Sequence, residues 1–111
     1  MKESVLQSKI TRYLKMQGRF YVKTQAGAGV ATGTPDIVTL NNEGKFVGLE
    51  LKRDDNVGSY GVTLEQRHQG NKIKSFNGEW HAIKSFTEFL ELEGFEDKES
   101  FKWQKKFGKI Y

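Results

Sequence analysis

The chain has 111 residues, no cysteine and a single proline. Without cysteine there can be no disulfide framework and no thiolate metal centre, which fits a reducing compartment. No stretch is long and apolar enough to span a bilayer, and the N-terminal residues lack the apolar core of a signal peptide. The expectation is a soluble cytoplasmic protein with no membrane partner. Histidine is scarce too: the spacing of His68 and His81 fits no zinc motif, and they read as a solvated helix residue and a strand residue. No Ser/His/Asp or Cys/His nucleophile set is present, and Tyr13, Tyr21, Tyr60 and Tyr111 stand in no supporting constellation. There is no internal repeat and no domain linker, so the length suits one compact domain. Any chemistry falls to carboxylates, lysines and amides.

Charge is unevenly spread. The formal net charge is +4 and the isoelectric point about 9.3. Residues 1–30 carry six Lys and Arg against Glu3 alone, whereas Glu88, Glu91, Glu93, Glu96 and Asp97 form an acidic run. The end of the chain interleaves Lys102, Lys105, Lys106 and Lys109 with Phe101, Trp103, Phe107 and Tyr111. Bases among aromatics suit backbone contact and stacking on exposed bases, or equally a self-association element. A basic surface around an acidic pocket suits a polyanion, although many soluble proteins are mildly basic.

Periodicity gives an order of elements. Val5, Leu6, Ile10, Tyr13 and Leu14 recur at helical spacing within 3–17, and Gly18 supplies a stop. A strand is expected over 20–25, then a Gly-rich loop from Ala26 to Gly33, then a hairpin over 36–53 turning at Asn41-Asn42-Glu43-Gly44. Residues 54–61 read as a polar loop. A helix capped by Thr63 is expected over 64–76, a turn at Asn77-Gly78-Glu79, a strand over 80–85 and a helix over 87–93. The fold class is α/β: one small mixed sheet flanked by helices, in the order α-β-β-β-α-β-α.

The hairpin carries the chemistry. Pro35 cannot donate to a ladder and fits a strand start, which puts Asp36 there. Glu50 and Lys52 are two apart and share one face of the returning strand, while Leu49 and Leu51 face the core. The start of the first strand then lies beside the end of the second, so Asp36 meets Glu50 and Lys52. Two carboxylates with open coordination positions suit Mg²⁺ or Mn²⁺, which would acidify water and neutralise phosphoryl charge, with Lys52 beside the scissile phosphate. The bland alternative is a solvated strand face with a Glu–Lys ion pair of little consequence. The Gly-rich loop lacks the Gly-Lys-Ser/Thr of a P-loop and leads into a strand, so it is either a DNA-approach loop or a plain connector.

Taken together, Glu3 on the first helix, Gly33-Thr34-Pro35-Asp36, Glu50-Leu51-Lys52 at the end of an apolar strand, and Thr63-Leu64-Glu65-Gln66 opening the next helix resemble the PD-(D/E)xK nucleases. They look most like the stand-alone, phage-type VRR-NUC branch. The resemblance covers about residues 1–90, and a nuclease domain over 1–95 followed by a basic-aromatic tail over 96–111 is expected. It implies a Mg²⁺- or Mn²⁺-dependent DNA endonuclease in a bacterial or phage-infected cell. Asp36, Glu50 and the Leu51 carbonyl would be metal ligands, with Glu3 completing the site and Lys52 and Gln66 managing water and phosphate. Glu3 could instead be an acid favoured by the helix dipole, and Gln66 an exposed helix residue. Lys23, Gln25, Gly33, Arg53 and Thr63 are candidate nucleic-acid contacts. Relatives of this size are associated with four-way junctions and homodimers; flaps, nicks or plain duplex are the other targets, and a non-catalytic DNA-binding module is the rival class.

Overall fold

The computed structural model describes residues 2–24, 29–53 and 61–96. Its elements are α1 (Glu3–Met16), β1 (Tyr21–Lys23), β2 (Ile37–Leu40), β3 (Phe46–Leu51), α2 (Leu64–Ser75), β4 (Glu79–Ile83) and α3 (Phe86–Leu90). The order is the α-β-β-β-α-β-α expected from periodicity. Gln25, most of the expected 54–61 loop and the tail from Asp97 onward lie outside the described residues. No helix among the described residues is long and apolar enough to cross a membrane.

Helix α1 forms because Leu6, Ile10 and Leu14 recur one turn apart and are buried together. It ends as Gly18 predicts. Gly18 takes φ 71°, its N–H donates to the Lys15 carbonyl, and the Arg19 N–H donates to the Leu14 carbonyl, the paired bonds of a Schellman end.

The strands form one sheet in the order β1-β2-β3-β4. The β1/β2 and β2/β3 pairs are antiparallel, with Ile37 opposite Leu49. Strand β4 pairs parallel to β3, with Leu49 opposite His81. β4 begins at Glu79, one residue before the expected start, because Glu79 already pairs with Val47. It ends at Ile83 because Ser85 turns to cap α3, accepting the Glu88 N–H at 3.1 Å. Strand β1 is shorter than expected: Phe20 stands outside the ladder, and its carbonyl accepts the Thr39 hydroxyl at 2.6 Å.

Strand alternation divides the molecule. Val47, Leu49 and Leu51 join Leu6, Ile10, Leu14, Ile37, Ile83, Phe89 and Phe95 in one core under α1 and α3. The β3 residues between them, Gly48 and Glu50, face α2. There the contacts are close rather than voluminous. A Cβ on Gly48 would come within 2.8 Å of Pro35 Cγ, and one on Gly70 within 2.5 Å of the Trp80 ring. Gly70 is the buried residue of α2.

Candidate active site

The start of β2 and the end of β3 meet beneath the N-terminus of α2, and the paired carboxyls lie there. Asp36 is fixed by two bonds. Its carbonyl accepts the Thr24 N–H at 2.9 Å, and its Oδ2 accepts the Leu51 N–H at 2.8 Å. The Thr24 hydroxyl also donates to the Pro35 carbonyl. The hairpin register therefore brings Asp36 against the end of β3, as the strand-start position of Pro35 predicts.

Glu50 is buried, with 2% of its surface exposed. Its Oε2 accepts a hydrogen bond from Gln66 Nε2 at 3.1 Å, whereas its Oε1 is buried with no hydrogen-bond partner. Burial, a hydrogen bond to the Asp36 carboxyl and the charge of that carboxyl push Glu50 up to about 9; Lys52 pulls the other way and Glu3 adds a small further rise. Lys52 is itself buried. A shared proton or a cation between the two carboxyls would relieve the buried Glu50 charge and its orphaned oxygen.

Gln66 is aimed by the way α2 begins. Thr63 Oγ1 accepts the Gln66 N–H at 3.1 Å, and Gln66 Oε1 accepts the Thr63 N–H at 2.9 Å. This capping box occupies the amide oxygen and leaves the amide NH₂ facing Glu50. Thr63 is thus the cap of α2 and holds Gln66 in place; the reciprocal half of the box was readable in Thr63-Leu64-Glu65-Gln66.

Thr24, Val30–Thr34, Asp36, Glu50 and Gln66 line a cavity of about 370 Å³. The described part of the Gly-rich loop is its wall. Gly33 has φ +88°, and a Cβ there would sit 2.4 Å from the Glu65 carbonyl oxygen. That glycine is required for the loop to pack on the first turn of α2. Gln69 Nε2 donates to the Thr32 carbonyl at 3.4 Å, a second tie between loop and helix.

A second depression of about 190 Å³ lies beside the first, lined by Glu3, Ser4, Gln7, Asp36 and Leu51. Asp36 borders both. Glu3 therefore approaches the site from the α1 side, with Leu51 on the same rim. No group of three or more His, Cys, Asp or Glu side chains is gathered as for a metal ion among the described residues; Glu3 shares the second depression with Asp36.

The remaining sequence candidates are spread more widely. Lys23 is exposed and lies opposite Ile37 in the register, on the α1 side of the sheet. Thr24 lines the cavity instead, because the facing of an edge strand is set by a register that a short sequence run does not reveal. Arg53 and Thr63 are exposed at the cavity end of the molecule. His81 bonds Glu79 at 3.1 Å on β4.

A divalent cation fits the paired carboxyls. Mg²⁺ and Mn²⁺ take one or two protein carboxylates and complete their shells with water. A cation there would satisfy the orphaned Glu50 oxygen and offset the burial and the carboxyl–carboxyl repulsion that raise its pKa.

No protein-family model matches the chain, and no curated protein matches it. A solved structure described as a VRR_NUC domain shares its fold, with a TM-score of 0.65 and 19% identity over 81% of this chain and 91% of the other. The mixed sheet with its flanking helices is therefore the fold of that VRR_NUC domain.

Proposed function

We propose that this protein is a metal-dependent DNA endonuclease that hydrolyses phosphodiester bonds at Asp36 and Glu50. One observation carries the reading: Asp36 and Glu50 line one cavity, and Glu50 is buried there with an oxygen no protein donor satisfies. A buried carboxyl with an unsatisfied oxygen costs stability, and strained ionisable groups of this kind cluster at functional sites. Asp36 and Glu50 would hold Mg²⁺ or Mn²⁺, with the Leu51 carbonyl as a third ligand and Glu3 acting from the second depression. When bound, the ion supplies charge neutralisation at the phosphoryl oxygens and acidifies water.

The chain's own residues divide the rest of the work. Lys52, on the strand face of Glu50, adds positive charge for the phosphoryl oxygens and orients the attacking water. Gln66 holds Glu50 by its amide NH₂, and the capping box prevents that amide from turning. The Val30–Thr34 wall, Gly33 included, offers backbone close to the DNA, and Arg53, exposed at the cavity end, offers a phosphate contact.

The finer reading is a homodimeric cutter of branched DNA, four-way junctions in particular. It is supported by the motif set of the sequence and by symmetry: a two-fold junction cut in pairs calls for two sites. The test is cleavage of a labelled four-way junction and a matched duplex by wild type and Asp36→Ala, with Mg²⁺, Mn²⁺ or EDTA. Junction cutting that needs both metal and Asp36 is expected, with a loss of about 100-fold or more in the variant. Equal cutting of duplex would remove the junction preference, and binding of either DNA without cutting would replace the enzyme by a binding module.

A further inference from the structure

At the other end of β3 and α2 lies a groove that the active site does not use. It has a volume of about 410 Å³ and is lined by Lys45, Phe46, Lys72, Ile73, Phe76, Asn77 and Gly78. Phe76 is 87% exposed and Phe46 43%. Together the two rings make an exposed apolar patch on the groove, the kind of surface that marks an interaction site. Phe76 stands there because α2 ends at Ser75 and its backbone N–H closes on the Ile73 carbonyl at 3.2 Å. Asn77 then takes φ 70°, turning the chain back into β4 and leaving the ring on the rim.

The surroundings say what kind of partner fits. Lys45 and Lys72 line the groove, and Lys74, on the same helical turn, lies 5.5 Å from the centre of the Trp80 ring. Glu79, which follows Gly78, is engaged by Asn41 Nδ2 at 3.1 Å and by His81 Nε2 at 3.1 Å. The groove thus presents two aromatic rings with lysines beside them. Aromatic rings flanked by cations are what an unpaired nucleotide needs, with the base on a ring and the phosphates on the ammonium groups. The basic, aromatic tail of the chain has the wrong charge for this rim.

Position supports the same occupant. Strand β3 runs from Phe46 at the groove to Glu50 at the active site, and α2 runs back from Gln66 to Phe76. Four strand steps and ten helical steps both place the two sites about 13–15 Å apart. That is the span of a few nucleotides of one strand. We infer that the Phe46–Phe76 groove binds an unpaired nucleotide of the DNA strand whose phosphodiester lies at Asp36 and Glu50.

This inference rests on the nuclease reading for what brings the strand to the protein, so binding and cutting are measured separately. Anisotropy of a labelled twelve-residue oligothymidine and of a matched duplex is followed in EDTA, with wild type, Phe76→Ala, Phe76→Trp and Lys72→Glu. Cleavage of a junction or flap by the same proteins is followed in Mg²⁺. Phe76→Ala is expected to weaken the single strand roughly 10-fold and the duplex little, with Phe76→Trp restoring it. Lys72→Glu is expected to weaken both and to flatten the salt dependence. Unchanged single-strand binding in Phe76→Ala, with cleavage intact in wild type, overturns the groove and leaves the nuclease standing. No DNA binding and no cleavage by wild type overturns both. If Phe76→Ala instead turns a dimer into a monomer in sedimentation with oligothymidine binding unchanged, the groove is a subunit contact and the inference fails.

Discussion

On one face of the sheet, Val47, Leu49 and Leu51 meet Leu6, Ile10, Leu14 and Phe89 in a closed apolar core. On the other face, the intervening positions of the same strand are Gly48 and Glu50, covered by a helix whose buried residue is a glycine. The first face is held by volume and the second by close approach and hydrogen bonds. Such an arrangement lets a small domain keep one face for stability and use the other for a buried Glu50 beside a half-buried Asp36, which no folding requirement favours. The capping box shows the coupling: it starts α2 and also fixes the amide that holds Glu50.

The contrast can be broken from either side. Ile10→Ala, on the apolar face, should lower stability by about 3 kcal/mol in denaturant unfolding, because it leaves a cavity in a fully buried site. Asp36 and Glu50 should remain in place, so any loss of cleavage should follow the unfolded fraction alone.

Glu50 should behave in the opposite way. Unfolded, it titrates near about 4.3; folded and free of metal, it is pushed up to about 9. The folded state thus binds the proton more tightly. That contribution to stability is complete below the unfolded value and is lost as pH rises through the folded one. Metal-free wild type should melt at progressively lower temperature from about pH 5 to 9. Glu50→Gln should remove much of that slope and melt about 10 °C higher at pH 8.5, with little difference at pH 5. An equal slope in both proteins would place the charge strain elsewhere.

Gly48→Ala should cost about 1–2 kcal/mol, because the new methyl meets Pro35 Cγ and Ile73 Cδ1, at 2.8 and 3.2 Å. The Pro35 shift should carry Asp36 with it, so cleavage should fall further than stability alone explains. Thr63→Ala should have the smallest effect on folding, about 1 kcal/mol from the lost cap. It should lower the turnover rate, since it frees Gln66, and any accompanying loss of DNA affinity measures the contact Thr63 itself makes.

Much of this was legible in the chain. Pro35 marked the strand start, the two-residue spacing of Glu50 and Lys52 marked a shared face, and Gly18 and Thr63 marked helix ends. These are local signals, and the structure places Asp36 against Glu50 as they require. What was not legible depends on register and packing. Lys23 or Thr24 could have faced the cavity until Lys23 was paired with Ile37. Gly33 reads as a loop residue near DNA in sequence, yet it is also held close to the backbone of Glu65, thirty-two positions away, a contact no local pattern reveals. The polar ties at the end of α1 were equally hidden: Tyr13 and Gln17 both donate to the Phe95 carbonyl, at 3.0 and 3.1 Å.

The central claim, that the Asp36–Glu50 pair is a divalent-cation site, is tested most directly by calorimetric titration of Mn²⁺ into metal-free wild type, Asp36→Asn and Glu50→Gln, without DNA. Binding by wild type at pH 7.5 with release of a proton, and none within the titration range for either variant, is the result predicted. Equal binding by all three proteins, or none by wild type, would contradict it.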